Sequence, residues 1–289
     1  MHYFLQSASY NKGIDFKIFT DANYSCYTHY DNIEFIKLNL AAFNDLATKK
    51  MQLPVAVKSS YKLCDFKPMY GFVFEKYISE YSHWAHCDVD MVFGDIAGYI
   101  IKRSLYDYDV VSSHGRYISG AFTMYKNTES VNRAFMLSKD YKRVLFDEKY
   151  LSFDEASTVI SKLWNGYDLF EFPSEIESMS HVVKNPNNNL NYYFGEFIEE
   201  RIKDKIIWSK GKLYDGNNEI SIFHYLVYKG KVSFNVPSFN ADSSYTFTTH
   251  GFFTASLGAH TYMWVHSIYK NFSGKVRSKI KRKLKSFTS

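Results

Sequence analysis

The chain has 289 residues, of which 46% are hydrophobic and 22% are charged, enough for one large folded domain with a small appendage. Its three cysteines have no paired spacing, which argues against a disulfide framework or a structural zinc site and indicates reduced thiols. The formal net charge is +5, but seven basic residues lie within residues 275–289, where there is no acidic residue. The body, residues 1–274, is therefore mildly acidic.

The beginning of the chain predicts alternating helices and strands. Residues 3–10 are typical of a helix, and residues 14–20 and 33–38 alternate as strands do. Asn39 then predicts the N-cap of a helix that continues to about residue 50. Because strands that alternate with helices favour a parallel sheet, we expect an α/β fold.

Residues 81–96, YSHWAHCDVDMVFGDI, carry the strongest chemical signal. They predict a short buried strand, after which Asp88 and Asp90 would project to the same side because side chains alternate along extended backbone. Two hard oxygen ligands at such a strand end suit Mg²⁺ or Mn²⁺ that carries a diphosphate. The pattern is weak by itself, since Asp107 and Asp109 form a second Asp-x-Asp beside another apolar run.

Residues 62–96, KLCDFKPMYGFVFEKYISEYSHWAHCDVDMVFGDI, resemble the central block of bacterial GT-A-type glycosyltransferases from capsule and lipopolysaccharide gene clusters. The resemblance runs from about Phe4 to about Val232. It implies that residues 1–250 form a GT-A domain, which is Rossmann-like, with a mostly parallel central sheet and flanking helices. In that family a strand that lines the nucleotide pocket precedes the helix at residues 3–10, whereas this sequence starts in the helix, so we expect either a truncated or misassigned start or a member that has lost this strand.

The resemblance also implies which residues bind the donor and the metal. His224 would complete a metal shell with Asp88 and Asp90, although a lone histidine on a strand is usually structural. The residues that would face the nucleotide-sugar or its acceptor are Asp21, Lys62, Asp65, Lys67, Asp88, Arg116, Gly120 and Lys229. Asp65 is equally suited to cap the helix that follows it, and Arg116 to be a solvated loop charge.

Asp154 and Glu155 form the candidate catalytic pair. We expect them in the first turn of a helix with Ser152 as its N-cap. The helix dipole favours acidic side chains there by roughly 0.3–1 kcal/mol each, which is a purely structural reason for the pair. The resemblance implies instead that they bind the acceptor or act as the base that deprotonates its hydroxyl group, as an inverting transferase requires.

The last part of the chain predicts a hairpin and then helices. Residues 206–228 are typical of a β-hairpin around a turn at residues 215–218. Residues 262–272 have a helical pattern, and apolar positions within 275–287 recur at helical spacing among basic residues. A basic amphipathic helix suits an anionic membrane surface, so we expect residues 251–289 to dock there. The alternatives are a solvated tail and a nucleic-acid contact, which the acidic body disfavours.

Together with these features, the resemblance implies a metal-dependent glycosyltransferase that uses Mn²⁺ or Mg²⁺. It would move a sugar from a nucleotide-diphosphate sugar, with a UDP-sugar favoured, to a glycan or glycolipid acceptor of a surface polysaccharide. No signal peptide opens the chain and no apolar run approaches ~18 residues, so we expect a cytoplasmic enzyme at the inner face of the cytoplasmic membrane. The alternatives are a metal-dependent nucleotidyl or phosphoryl transferase and a non-catalytic, membrane-peripheral glycan-binding protein.

Overall fold

A computed structural model describes residues 1–27, 29–230, 244–249 and 251–254 of the protein. The α-helices in this part of the chain are α1 (His2–Ser9), α2 (Leu40–Met51), α3 (Tyr70–Val73), α4 (Glu75–Ile78), α5 (Ile96–Lys102), α6 (Glu129–Asn132), α7 (Tyr141–Phe146), α8 (Ile160–Trp164), α9 (Met179–Lys184) and α10 (Leu226–Lys229). Short 3₁₀ helices cover Ser60–Met69, Leu105–Asp107, Ala134–Leu137, Ser157–Val159 and Pro186–Asn188.

The strands of the same residues form several sheets and give the protein an α/β architecture. They are β1 (Phe16–Thr20), β2 (Ile33–Lys37), β3 (His83–Cys87), β4 (Met91–Phe93), β5 (Val110–Ser112), β6 (Phe122–Lys126), β7 (Tyr192–Phe194), β8 (Ile198–Glu199), β9 (Ile206–Ser209), β10 (Lys212–Asp215), β11 (Asn218–Ile220), β12 (Ile222–His224), β13 (Tyr245–Thr248) and β14 (Gly251–Thr254).

The first elements follow their local sequence signals. The strands β1 and β2 pair in parallel, with Phe16 opposite Ile33. Asn39 caps α2 as predicted, because its Oδ1 accepts a hydrogen bond from the amide of Ala42 at 2.8 Å. The helix ends at Met51, where Gln52 takes the left-handed conformation with φ of 53°. The predicted strands and the predicted helix at this end of the chain are therefore confirmed.

The central four-stranded sheet has the order β3-β6-β5-β7. In it β6 runs antiparallel to both β3 and β5, and only β5 and β7 are parallel. The expectation of a mostly parallel central sheet is wrong. The reason lies in residues 113–121, which connect β5 to its neighbour β6 as a loop without a crossover helix, and such a connection joins antiparallel strands.

Both faces of the two middle strands of this sheet, β5 and β6, are buried, each against its own hydrophobic cluster. On one face, Val110 and Tyr125 pack with Phe43 from α2. On the other face, their chain neighbours Val111 and Met124 pack with helices α1 and α5. Successive strand residues point to opposite faces, so two adjacent apolar residues in a strand require a covered sheet. The helices on both sides supply that cover.

Two further sheets, of three and five strands, complete the described part. The predicted hairpin forms between β10 and β11, but β12 then leaves it and pairs antiparallel with β4 and parallel with β8. This three-stranded sheet places His224 opposite Met91. The other sheet has the order β11-β10-β9-β13-β14, so the folded body extends past residue 250, where we expected it to end.

Membrane attachment was predicted for the end of the chain. The helices predicted in residues 262–287 lie outside the described residues, and the docking segment remains a prediction. Among the residues that the structure does describe, no helix is long and apolar enough to cross a membrane.

Candidate metal centre

The turn between β3 and β4 carries Asp88 and Asp90. The backbone fixes this turn on both sides, because the amide of Asp88 donates to the carbonyl of Ala121 at 3.0 Å and the carbonyl of Asp90 accepts from the amide of Tyr225 at 3.1 Å. Between them Val89 points outward and is 51% exposed. The two carboxylates therefore lie together just after the end of β3, as the sequence predicted, although β3 itself is only partly buried.

His224 joins them from a distant part of the chain. It is the last residue of β12, and its side chain is only 2% exposed. Its Nε2 lies 3.3 Å from Oδ1 of Asp90 and 3.9 Å from Oδ2 of Asp88, without hydrogen-bonding geometry to either oxygen. One ligand atom from each of the three residues falls within 4.8 Å of the other two. The predicted grouping of these residues is confirmed.

The donor set fits a divalent cation. A buried imidazole nitrogen without a hydrogen-bonding partner is costly unless something binds it, and here it faces two carboxylates. Carboxylate oxygens suit Mg²⁺ and Mn²⁺, and the neutral imidazole shifts the preference towards Mn²⁺. The arrangement can therefore hold either ion, with Mn²⁺ the better match.

Two lysines neutralise the carboxylates. The Nζ of Lys67 donates to Oδ1 of Asp88 at 2.7 Å, and the Nζ of Lys229 donates to Oδ2 of Asp90 at 2.5 Å. Lys67 is nearly buried, whereas the side chain of Lys229 is 49% exposed. Both lysines thus lie at the centre, where the resemblance placed them, and their ammonium groups could also contact a ligand phosphate.

These charges shift the titration of the centre. Burial by itself raises the pKa of the Asp90 carboxyl, but the adjacent His224 and Lys229 outweigh it and hold that pKa well below the usual range. Burial by itself lowers the pKa of His224, but the carboxylates of Asp90 and Glu200 outweigh it and raise that pKa to about 9. A metal ion therefore has to displace a proton from the imidazole.

The acid pair Asp154 and Glu155 lies beside Lys67, whose Nζ is 4.0 Å from Oδ2 of Asp154. The expected helix start is wrong: the pair occupies a turn after Ser152, which has φ of 56°, and α8 begins only at Ile160. Ser152 does not cap a helix there, and its hydroxyl donates instead to Oε2 of Glu155 at 3.3 Å. The helix dipole therefore does not explain these two acids.

The pKa values of both acids are raised. Burial raises the pKa of Asp154 well above its usual value, and the charge of Glu155 adds to the effect. Burial likewise raises the pKa of Glu155, although Lys67 opposes this. The hydroxyl of Tyr150 donates to Oδ1 of Asp154 at 3.0 Å and fixes its orientation. Raised carboxyl pKa values beside a cation are typical of acid–base sites.

The loop of residues 113–121 joins the acid pair to the metal side. The carbonyl of Gly120 accepts from Nζ of Lys67 at 2.6 Å. A Cβ at Gly120 would lie 2.6 Å from Oδ2 of Asp154, so only glycine fits this approach. Arg116 is exposed in the same loop, and its guanidinium points towards Gly166. Gly120 is therefore part of the site, whereas Arg116 lies at its surface.

Lys62 and Asp65 do not face a ligand, so that expectation is wrong. Their side chains are 1% and 0% exposed and pair at 2.8 Å, and Nζ of Lys62 also donates to the carbonyl of Lys149. Asp65 accepts from the amides of Leu151 and Phe153 at 2.8 and 2.7 Å. The pair anchors the segment that leads to the acid pair.

The local role predicted for Asp65 is also wrong. Ser59, and not Asp65, caps the 3₁₀ helix Ser60–Met69, because its Oγ accepts from the amide of Lys62 at 3.4 Å. Asp65 lies within this helix, and its oxygens serve a segment more than 80 residues away in sequence. Long-range hydrogen bonds of this kind cannot be predicted from the local sequence pattern.

Asp21 and the second Asp-x-Asp motif lie outside the candidate metal centre. Asp21 is exposed just after β1, and no described contact joins it to Asp88, Asp90 or His224. In the second Asp-x-Asp, Oδ2 of Asp109 accepts from the amide of Asn191 at 3.0 Å, which ties β5 to the start of β7. That motif therefore has a structural role.

Sequence reasoning missed two residues of the site. Tyr150 could have been found, since it lies only four residues before Asp154 and a partly buried phenol usually finds a hydrogen-bonding partner. Glu200, whose Oε1 lies 2.9 Å from Nδ1 of His224, gave no local signal. Only the pairing of β8 with β12 brings it to the centre.

The fold and the site define an α/β protein with a candidate centre for a divalent cation beside a pair of buried acids. The chain belongs to the family of unknown function DUF6625, whose model matches residues 1–255. Comparison with curated proteins gave no match, and comparison with solved structures gave none either.

Proposed function

We propose that this protein is a metal-dependent glycosyltransferase. It moves a sugar from a nucleotide-diphosphate sugar, with a UDP-sugar favoured, to the glycan or glycolipid acceptor of a surface polysaccharide. The observation that carries the proposal is the meeting of Asp88, Asp90 and His224, from two distant parts of the chain, at one point flanked by Lys67 and Lys229. Carboxylates, imidazole and ammonium groups together suit a metal ion and a diphosphate.

The residues divide into a donor side and an acceptor side. On the donor side Asp88, Asp90 and His224 would hold Mn²⁺ or Mg²⁺, whose charge would offset that of the departing diphosphate. The ammonium groups of Lys67 and Lys229 lie at the carboxylate oxygens of Asp88 and Asp90. They would add electrostatic stabilisation for the negative charge that develops on the diphosphate. Positive charge already in place before the reaction needs no reorganisation when the bond breaks.

On the acceptor side, Asp154 or Glu155 removes the proton from the acceptor hydroxyl group. A general base works best when its pKa approaches the working pH, and burial raises the pKa of both carboxyls. Tyr150 orients Asp154, and Gly120 lets the loop approach it. The base thus lies next to Lys67, which in turn contacts the metal-side carboxylate of Asp88.

The proposal includes a GT-A domain and a location at the membrane surface. The α/β architecture with helices on both sides of the central sheet is compatible with a GT-A domain, in which Asp21, Arg116 and the Gly120 loop would contact donor or acceptor. The basic residues within 275–287 would dock the protein on an anionic membrane at its cytoplasmic face, near a lipid-linked acceptor.

The test is a thermal-shift panel with UDP, GDP and CMP, each with and without Mn²⁺. A ligand present at ~100 times its dissociation constant adds about 2.7 kcal/mol to stability, which raises the melting temperature of a protein of this size by several degrees. We expect a shift with one nucleotide that requires Mn²⁺ and is lost in Asp90→Asn. Asp107→Asn, in the second Asp-x-Asp, is the matched control and should keep the shift.

The released product separates this function from its nearest alternative. A nucleotidyl transferase would use the same acids, metal and phosphates but would release pyrophosphate, whereas sugar transfer releases a nucleoside diphosphate. Full metal-dependent transfer by Asp90→Asn would refute the assignment of the centre. Glycan binding that is indifferent to both metal and nucleotide would instead indicate a non-catalytic protein.

A further inference from the structure

Glu200 reaches His224 through strand pairing. The short strand β8 runs parallel to β12, with Ile198 opposite Ile222 and Glu199 opposite Phe223. Glu200 follows the last residue of β8 and His224 is the last residue of β12, so the two are neighbours, and Oε1 of Glu200 lies 2.9 Å from Nδ1 of the imidazole. The contact is therefore built into the register of the sheet.

The chemistry of this contact determines which imidazole nitrogen is available. An ionised carboxylate only accepts hydrogen bonds, so Nδ1 of His224 must carry the proton that it donates to Glu200. With the proton held on Nδ1, Nε2 is the nitrogen left for a ligand, and it is this atom that faces Asp88 and Asp90.

We propose that Glu200 is a positioning residue of the metal centre, which holds the ring of His224 with Nε2 directed at the metal. The inference rests on the proposed function, because it requires that the three residues bind a divalent cation. Histidine ligands commonly donate their second nitrogen to a carboxylate, which fixes the tautomer and the ring orientation and increases the basicity of the ligand. Glu200 acts through His224 and does not itself touch the metal.

If Glu200 had a purely structural role, its removal would affect the stability of the protein and not its metal affinity. The side chain of Glu200 is 54% exposed, so its removal leaves no cavity in the core. We therefore expect Glu200→Ala to fold and to lower the melting temperature of the metal-free protein by no more than a few degrees, the cost of losing a half-exposed ion pair. Its effect should appear in metal binding.

The experiment titrates Mn²⁺ alone into the full chain and measures its affinity by calorimetry. We expect Glu200→Ala to weaken binding by about 10- to 100-fold, the usual cost of losing an outer partner of a ligand. Glu200→Gln should fall between this variant and the wild type, because its amide oxygen still accepts from Nδ1. Glu199→Gln removes the neighbouring charge and is the matched control, since Glu199 accepts from the amide of Arg201 and not from His224.

A spectroscopic measurement reports the tautomer directly. In long-range ¹H–¹⁵N NMR spectra of the Mg²⁺-saturated wild type, His224 should show a single form with its proton on Nδ1. Glu200→Ala binds the metal more weakly, so at the same Mg²⁺ concentration a form with a proton on Nε2 in place of the metal should become visible, and Glu200→Gln should restore the first form in part. A side chain with a purely structural role would leave this signature unchanged.

The outcomes separate the two proposals. If the wild type binds no Mn²⁺, the metal centre and the role of Glu200 are both wrong. If the wild type binds Mn²⁺ and Glu200→Ala binds it equally well with an unchanged tautomer, the role of Glu200 is overturned and the metal centre stands. Weaker binding in Glu200→Ala, graded recovery in Glu200→Gln and none of these changes in Glu199→Gln would establish the inference.

Discussion

The ammonium group of Lys67 lies 2.7 Å from Oδ1 of Asp88, and the same nitrogen contacts the carbonyl of Gly120 at 2.6 Å. Lys229 makes the equivalent contact with Asp90 at 2.5 Å. Each carboxylate of the candidate metal centre is thus already paired with a cation from the chain. A divalent ion has to compete with these ammonium groups for the carboxylates. The phosphates of a bound nucleotide would accept hydrogen bonds from the same ammonium groups.

Removing the charge of Lys229 should therefore affect metal and nucleotide in opposite directions. A partly exposed ion pair is worth on the order of 1 kcal/mol, so Lys229→Met should bind Mn²⁺ alone roughly fivefold more tightly than the wild type. In the presence of Mn²⁺ it should bind the nucleoside diphosphate about tenfold or more weakly, because a charge-assisted hydrogen bond to phosphate is lost. Calorimetric titrations measure both affinities.

The control for this experiment is Lys49→Met, which removes an exposed charge from α2. It should leave both affinities unchanged. Equal or weaker Mn²⁺ binding in Lys229→Met would contradict the idea that the lysine and the metal compete for Asp90.

The buried pair of Lys62 and Asp65 should matter for stability and not for ligand contact. Asp65→Ala leaves the ammonium of Lys62 buried without its partner and frees the amides of Leu151 and Phe153, so we expect a loss of about 3–5 kcal/mol. Urea unfolding followed by circular dichroism measures it. The double variant Lys62→Met with Asp65→Ala should recover part of the loss, since it removes the uncompensated charge.

Metal binding distinguishes this role from a direct one. At a temperature where Asp65→Ala is still folded, its affinity for Mn²⁺ should match that of the wild type. A large loss of Mn²⁺ affinity with unchanged stability would instead mean that Asp65 faces the ligand.

Neutralising Asp154 should stabilise the protein at neutral and alkaline pH. Its pKa is raised in the folded state by burial and by Glu155, with Lys67 opposing, so folded protein holds a proton that unfolded chains release. Stability therefore falls as the pH rises from the ordinary carboxyl range of about 3.9 towards the raised value. Asp154→Asn lacks this decline, and its melting temperature should exceed that of the wild type by a few degrees at pH 8.

The comparison should be repeated at pH 5, where the advantage of Asp154→Asn is expected to shrink because the wild-type carboxyl is closer to its protonated state. The same variant should lose transfer activity if Asp154 is the base. Asp107→Asn, which changes an exposed carboxylate, should follow the wild type at both pH values. A variant that is less stable than the wild type at pH 8 would contradict the raised pKa.

Gly120 should tolerate no side chain. A Cβ at this position would lie 2.6 Å from Oδ2 of Asp154 and 3.2 Å from Cγ of Glu155, so Gly120→Ala must displace the acid pair. We expect a loss of about 1–3 kcal/mol in stability, as for overpacked cores, together with loss of transfer activity. Gly13→Ala is the matched control, because a Cβ there meets nothing within 4 Å. Full activity in Gly120→Ala would show that the close approach of Gly120 to Asp154 is not needed for the reaction.

Some parts of the site could be predicted from the sequence because their causes are local. The placement of Asp88 and Asp90 follows from a strand pattern that ends where the acids begin, and the cap of α2 follows from one asparagine side chain and the amide of Ala42. The presence of His224 in the centre came only from a family resemblance, since nothing in its own strand indicates a ligand. The structure then brought it within reach of both acids.

Other parts depend on contacts that no local pattern records. Asp154 and Glu155 have the composition of a helix start, yet hydrogen bonds from the chain to buried Asp65 hold the preceding segment in a turn. Glu200 lies 24 residues before His224 and meets it only because β8 pairs with β12. The direction of the central strands likewise depends on which strands become neighbours.

The sequence by itself thus determined the first two strands, the capped helix and the pair of acids at a strand end, because periodicity and capping act over a few residues. The tertiary structure alone decided that Lys62 and Asp65 are buried supports, that Lys67 joins Asp88 to Asp154, and that Glu200 orients His224. Strand pairing and burial act between residues that are far apart in the chain, and their effects on charge and hydrogen bonding appear only when those residues meet.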